Sequence, residues 1–271
     1  MSFPLLCPHC RGPLAPHGTG LACPAGHTFD RAREGYWNLL PAHWKASREP
    51  GDNPAMVAAR RAFLSAGHYA PLRDALAEAV ARLRPERLLD AGCGEGHYTA
   101  AAASAAGQVA GLDLSKPAIR LAARAHPGIT WVVGNAGRLP VADGALDALL
   151  CVFSRAFPAE FLRALRPGGG LLLAGPGADH LAELRAALFD TVIPHEPDAL
   201  IAPLAGAFPE ARRMDLSFPL RLSAPDLRHL LAMTPYAWRA RPERRQALEA
   251  RTEGLATRAS FVVWTLAARR S

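Results

Sequence analysis

The chain has 271 residues, half of them hydrophobic and a fifth charged, with a formal net charge of +7. That composition excludes a disordered, collagen-like or coiled-coil protein, and the length suits one large domain with a small appendage, or two modest domains. No apolar run approaches the roughly 20 residues that span a bilayer. The basic balance favours a polyanionic partner, nucleic acid before membrane. Nearly all of it is Arg, with Lys45 and Lys116 the only lysines, so GC-rich codon bias explains the excess equally well. The opening Met1-Ser2-Phe3-Pro4-Leu5-Leu6 has no basic n-region and no long apolar h-region, so a cytoplasmic location is expected.

Three zones follow in chain order. Residues 1–35 are rich in Cys, Gly, Pro and His and cannot bury a core without a staple. Cys7-Pro8-His9-Cys10 is a C-x2-C knuckle, and Cys23-Pro24-Ala25-Gly26-His27 is a C-x3-H knuckle twelve residues further on. Three thiolates and one imidazole close a tetrahedral zinc site and leave no open position, so Cys7, Cys10, Cys23 and His27 are expected to hold a structural zinc. Gly12 and Gly26 are expected to relieve the backbone there. His9 and His17 read as surface residues, with His9 a weaker candidate ligand. The spacing leaves open whether the module is only a staple or also grips a macromolecule.

Residues 36–84 read as a helical connector, with a polar turn at Ser47-Arg48-Glu49-Pro50-Gly51-Asp52-Asn53-Pro54. From residue 85 to 271, short apolar runs alternate with helical stretches, the pattern of an α/β domain on a mostly parallel sheet. Strands are predicted at 87–91, 108–113, 129–133, 146–152 and 171–174. Helices are predicted at 97–106, 116–125 and 158–165, with Pro167-Gly168-Gly169-Gly170 as a turn. Further on, 180–189, 224–232 and 242–251 read as helical, and 213–222 and 260–267 as strands.

The first of these strands runs into Asp90-Ala91-Gly92-Cys93-Gly94-Glu95-Gly96-His97-Tyr98 and then a helix. A dinucleotide fingerprint needs G-x-G-x-x-G; here the spacing is G-x-G-x-G. The pattern resembles the first motif of S-adenosylmethionine-dependent methyltransferases. The resemblance implies a Rossmann-like class I methyltransferase domain with a seven-stranded, mostly parallel sheet. It implies that Asp90, Gly92, Cys93, Gly94, Glu95, Gly96 and His97 cup the aminoacyl end of the donor. Asp113, closing the next strand, would accept the ribose hydroxyls, as acidic residues there do in related folds. Asn135 and Ala136 would meet the adenine. Substrate would approach near the fourth strand's end at Cys151-Val152-Phe153-Ser154.

Glu34-Gly35-Tyr36-Trp37-Asn38-Leu39-Leu40-Pro41, Arg48-Glu49-Pro50-Gly51-Asp52, Arg60-Arg61-Ala62-Phe63-Leu64 and Ala66-Gly67-His68-Tyr69 look like the RlmA family of 23S ribosomal RNA (guanine-N1)-methyltransferases. Gly175-Pro176-Gly177-Ala178-Asp179-His180-Leu181 and Met233-Thr234-Pro235-Tyr236-Ala237-Trp238-Arg239-Ala240 continue the likeness over essentially the whole chain. The resemblance implies methyl transfer to N1 of one guanine in a 23S rRNA hairpin, a zinc domain that helps grip that hairpin, and a homodimer forming an RNA cleft. It places Tyr69 and His180 among the cofactor contacts. Two branches methylate neighbouring guanines; the N-terminal run and the Arg-Glu-Pro-Gly-Asp turn favour the general bacterial branch over the one that includes macrolide-resistance enzymes. Tyr236, Trp238, Arg239 and Arg241 interleave aromatic and guanidinium groups as RNA binders do, or pair core aromatics with solvated arginines. Methylation at N1 needs a base flipped from its stack and a proton acceptor, for which Glu95, His180, Asp52 and ordered water are candidates. A methyltransferase acting on a small molecule or another RNA, its zinc purely structural, is the alternative. A cofactor-free RNA-binding module is a third reading, opposed by the intact glycine loop and its two aspartates.

Overall fold

The computed structural model describes residues 3–44 and 50–269. The Ser47-Arg48-Glu49 part of the connector turn lies outside them. At the N-terminus, β1 (Ala15–His17), β2 (Gly20–Ala22) and β3 (Thr28–Phe29) form a small antiparallel sheet in the order β1-β2-β3. The connector supplies β4 (Trp37–Asn38), then α1 (Pro54–Ser65) and α2 (Ala70–Leu83). Asn53 caps α1 by accepting the Met56 N–H, and Pro54 opens the helix without a lost donor.

The α/β region follows as β5 (Arg87–Ala91), α3 (His97–Ala102), β6 (Gln108–Asp113), α4 (Lys116–Ala125) and β7 (Thr130–Val133). It returns through β8 (Leu146–Val152), α5 (Pro158–Ala164), β9 (Leu165–Pro176) and α6 (Ala182–Leu188). It closes with β10 (Glu210–Leu222), α7 (Ala224–Met233), α8 (Pro235–Arg239), α9 (Pro242–Glu249) and β11 (Leu255–Ala267).

The large sheet has the order β10-β11-β9-β8-β5-β6-β7-β4, with only the β10–β11 and β11–β9 pairs antiparallel. Seven of these strands are the expected sheet. The eighth, β4, is two connector residues paired in parallel to Val132 and Val133. The terminal antiparallel pair is longer than its sequence suggests: β10 starts three residues before the expected 213, where exposed Glu210 and Arg212 at the sheet edge read as surface. Central β8 is wholly buried from Ala148 to Val152, which explains the apolar run that follows half-buried Asp147.

The chain leaves β5 towards β6 and β7, then crosses back to β8. The crevice beyond the carboxyl ends of β5 and β8 is therefore the topological switch point, where ligands bind in open α/β sheets. Asp90 pairs in register with Gly111 of β6 and Leu150 of β8, so it sits at that crevice. Asp113 ends the adjacent strand.

Candidate active site and metal centre

The switch-point crevice opens into a cavity of about 1030 Å³. Its floor is the loop between β5 and α3. Gly92, Gly94 and Gly96 all take positive φ, the left-handed region that other residues enter at a cost. Two of them also allow close packing. A Cβ on Gly92 would lie 2.1 Å from Ser154 Oγ, and one on Gly96 would lie 2.5 Å from the Trp131 ring. Trp131 is fully buried beneath the loop and removes roughly 4–6 kcal/mol worth of apolar surface from water.

Asp113 ties the loop to β6. Its Oδ2 accepts the Gly94 N–H (2.9 Å) and its Oδ1 accepts the Ser115 N–H (2.7 Å). Burial raises its carboxyl, against the pull of these two amides. Asp90 lies below the loop, 1% exposed. Thr99 Oγ1 donates to its Oδ2 (2.6 Å), while Oδ1 is buried without a hydrogen-bond partner. Burial pushes the Asp90 carboxyl up to about 7. A buried carboxylate oxygen left open beneath a glycine floor suits the ammonium end of S-adenosylmethionine, directly or through water. Gly92, Cys93, Gly94, Glu95, His97 and Asp113 line the cavity itself; Asp90 and Gly96 shape it from behind. Asn135 and Ala136, following β7, line its far end.

The opposite wall is aromatic. Phe153, at the end of β8, holds φ +52° and leaves 46% of its surface exposed in the cavity. Its ring centroid is 6.5 Å from Tyr69, which is 6.0 Å from His180, itself 6.5 Å from His195; His195 lies 5.9 Å from Tyr236. All five line the cavity. His180 Nδ1 accepts the Ser260 N–H (3.2 Å), which leaves its proton on Nε2, 3.4 Å from Tyr69 Oη. Burial lowers the His180 imidazole to about 3. It is thus a neutral fixture with no free lone pair, which removes it as a proton acceptor. Among the other candidate bases, Asp52 is ion-paired with Arg60, and burial raises Glu95. Gly51 and Asp52 seat on the start of α4, where Ser115 Oγ donates to Asp52 O (2.7 Å).

The metal-donor set is compact. One ligand atom from each of Cys7, Cys10, Cys23 and His27 lies within 4.8 Å of all the others. Cys10 Sγ and Cys23 Sγ are 3.5 Å apart, and His27 Nδ1 is 3.3 Å from Cys23 Sγ. Tetrahedral zinc with bonds of roughly 2.3 Å needs donor separations of about 3.8 Å or a little less, so the four donors fit it. Burial works against the Cys23 thiolate, but hydrogen bonds from His27, Cys10 and Ala25 bring that thiol down to about 6. The backbone relief differs from expectation: Gly26 has φ +82°, but in the first knuckle Arg11, not Gly12, is left-handed at φ +61°. Arg11 then reaches across to donate to Leu139 O (2.9 Å) and Val141 O (3.0 Å). Leu6 N–H donates to Pro140 O (2.8 Å), and Phe3 and Leu5 enter the main core. These contacts fix the module on the loop after Asn135 and Ala136, at the cavity rim. There Arg138, a cavity residue, stacks 4.8 Å over Trp44.

The sequence left Tyr236 and its neighbours between two roles. Neither is a core aromatic pair: Tyr236 faces the cavity, Trp238 is exposed, and Arg239 lines the cavity mouth. Sequence reasoning missed His195, which lies in a Pro-interrupted loop without a motif; only proximity in the fold reveals it.

Residues 5–48 match the family described as RlmA, N-terminal, a zinc ribbon, and residues 88–169 match a methyltransferase domain. The chain is 42% identical over 247 residues to a Streptomyces fradiae protein named 23S rRNA (guanine(748)-N(1))-methyltransferase, covering 88% of this chain and 87% of that one. It is 32% identical over 118 residues to demethylmenaquinone methyltransferase of Renibacterium salmoninarum, covering 41% of this chain and 50% of that one. The Bacillus subtilis YcgJ structure superposes with a TM-score of 0.51 at 18% identity, over 72% of this chain and 98% of that one, a likeness of fold.

Proposed function

Because the chain belongs to the RlmA-type family of 23S rRNA (guanine-N1)-methyltransferases, we propose that it methylates N1 of one guanine in a 23S rRNA hairpin, with S-adenosylmethionine as donor and a structural zinc in its N-terminal module. The observation that carries this reading is one cavity with a glycine floor on one side and an aromatic wall on the other, with the metal module docked at its rim. When bound, the donor supplies an electrophilic methyl carried on a sulfonium.

The residues divide the work. Asp90 receives the donor's ammonium, Asp113 its ribose hydroxyls, and Asn135 and Ala136 flank its adenine. Tyr69 and His180, neighbours on the aromatic wall, face the donor across the cavity from the floor. The exposed face of Phe153 stacks the flipped guanine, which turns its Watson–Crick edge to the donor. Holding both reactants in line supplies on the order of 7–11 kcal/mol of the barrier reduction. Cys7, Cys10, Cys23 and His27 hold the zinc, which keeps the module folded so that it and the Arg138–Trp44 pair steady the RNA beside the cavity. A homodimer in the bacterial cytoplasm, with the RNA in a cleft between its two chains, completes the reading.

The relative's target makes guanine 748 the first position to test. A transcript of that hairpin should take labelled methyl, and one with this guanine replaced by adenosine should not. Labelling of neither contradicts the proposal, and labelling of both places the target at another guanine of the hairpin.

A further inference from the structure

One polar pair on the aromatic wall is absorbed by none of the roles above. His195 Nε2 and Tyr236 Oη are 2.7 Å apart, the shortest contact between two titratable cavity groups of that wall. Both side chains line the cavity, and both are half-buried. The backbone fixes each independently: His195 N–H donates to Ala178 O (3.1 Å), and Tyr236 lies in the first turn of α8, after Pro235. Buried Arg185 of α6 clamps the intervening loop, donating from Nη1 to Ile193 O (2.7 Å) and from Nη2 to Ala178 O (3.1 Å). It has no carboxylate partner among the described residues, so its charge is felt by the histidine.

We infer that Tyr236 and His195 form the proton relay of this reaction: Tyr236 Oη contacts guanine N1–H, and His195 Nε2 receives the proton through it. The inference rests on the guanine-N1 reading. The carbon–N1 bond forms as the carbon–sulfur bond breaks, and that bond's pair stays on sulfur. The N1–H pair stays on the ring nitrogen. Its proton passes to Tyr236 Oη, whose own proton passes to His195 Nε2. The positive charge lost at sulfur reappears on the imidazole, so charge balances. Burial first, and Arg185 second, lower the His195 imidazole from its ordinary value, so it stands neutral and ready to accept near pH 7. Desolvation raises Tyr236, so its phenol keeps its proton until the relay moves it. The groups facing the pair are Arg185 from α6, His180 across 6.5 Å, and Arg239 from α8 itself. His180 is locked neutral, so His195 is the imidazole of this wall that can take a charge.

The test uses the full-length protein, S-adenosylmethionine and a 23S rRNA hairpin transcript. Tyr236→Phe keeps the ring, and His195→Gln keeps a polar side chain. Each should lower kcat by about 100-fold, the low end of general-base effects, with donor affinity by calorimetry unchanged. At saturating donor, wild-type kcat should be level at neutral pH and fall in acid, below the ordinary imidazole range. In His195→Gln that acid limb should vanish, and the rate should climb with pH towards guanine's own ionisation. The double variant should be no slower than the worse single one. Independently of activity, nitrogen NMR of histidine-labelled protein should find His195 Nε2 unprotonated and its titration moved upward by Tyr236→Phe. A protonated Nε2, variants at wild-type kcat, or slower variants that keep the wild-type pH limb would each overturn the relay. Wild-type protein that methylates no 23S rRNA would overturn the functional reading, and the relay with it; active wild type with unaffected variants overturns the relay alone.

Discussion

The floor and the wall of the cavity are built in opposite ways. The floor comes from a few consecutive residues, 90–96, whose glycines give a turn shape and whose anchors, Leu112 O, Asp113 and Thr99, lie on the two elements next to the loop. The wall gathers Tyr69, Phe153, His180, His195 and Tyr236 from five separate parts of the chain. On the proposed function, a donor common to many enzymes would be held by local backbone geometry, and the particular acceptor met by long-range packing. The methyltransferase match of residues 88–169 takes in the floor, with Phe153 the only one of these five wall residues inside it.

The largest effect expected is from removing metal. A structural zinc contributes on the order of 10–16 kcal/mol to its module, so chelation should unfold residues 5–30 and abolish RNA methylation. Donor binding by calorimetry should survive in part, because the floor lies in the sheet. Metal analysis should find one zinc per chain; far less would sever the module from the comparison. Asp113→Ala removes an acceptor of two amides and should weaken donor binding by about 100-fold, the size of one bond to a charged group at roughly 1.5–3 kcal/mol. Binding of RNA, followed by filter retention, should hardly move. Phe153→Ala should do the reverse. The KM for the transcript should rise about tenfold, within the roughly 1–3 kcal/mol of a base–aromatic stack, at unchanged donor affinity. A Phe153→Ala that weakens the donor and spares the RNA would erase the division between floor and wall.

The smallest effect is a pH dependence. The Asp90 carboxyl stands at about 7 in the folded apo chain, above its unfolded value of 3.8. The fold therefore favours its protonated form, and this contribution to stability is present below pH 3.8 and lost as pH rises through about 7. The donor's ammonium prefers the carboxylate, so donor affinity should fall as pH drops below about 7, by at most tenfold per unit. Asp90→Asn should flatten that slope, as calorimetry across pH 5.5–8 would record.

The same contrast explains what could be read beforehand. The floor and the zinc donors were legible because their chemistry depends on short spacing: G-x-G-x-G after an apolar strand, and C-x2-C before C-x3-H. The β5 to β8 strands were legible because burial on both faces gives short apolar-rich runs, such as Leu88-Leu89, Trp131-Val132-Val133 and Ala148 to Val152. Two-residue β4 carries no periodicity at all, and its place at the sheet edge is set by pairing with Val132 and Val133. Arg11 took the left-handed turn assigned to Gly12, because Arg11 N–H closes on Cys7 O while Cys7 N–H closes on Gly12 O. His180 looked like a base by residue type, and only the Ser260 N–H shows its lone pair is spent. His195 had no local signal, since its meaning depends on Tyr236, 41 residues away.

The most direct test of the whole account is labelled methyl transfer by the purified chain to 23S rRNA lacking its native methylation, followed by mass mapping of the modified nucleotide. N1-methylguanosine at one hairpin guanine, with S-adenosylhomocysteine released in equal amount, is the predicted result. Label on another base, at another ring position, or only on a small metabolite would contradict it.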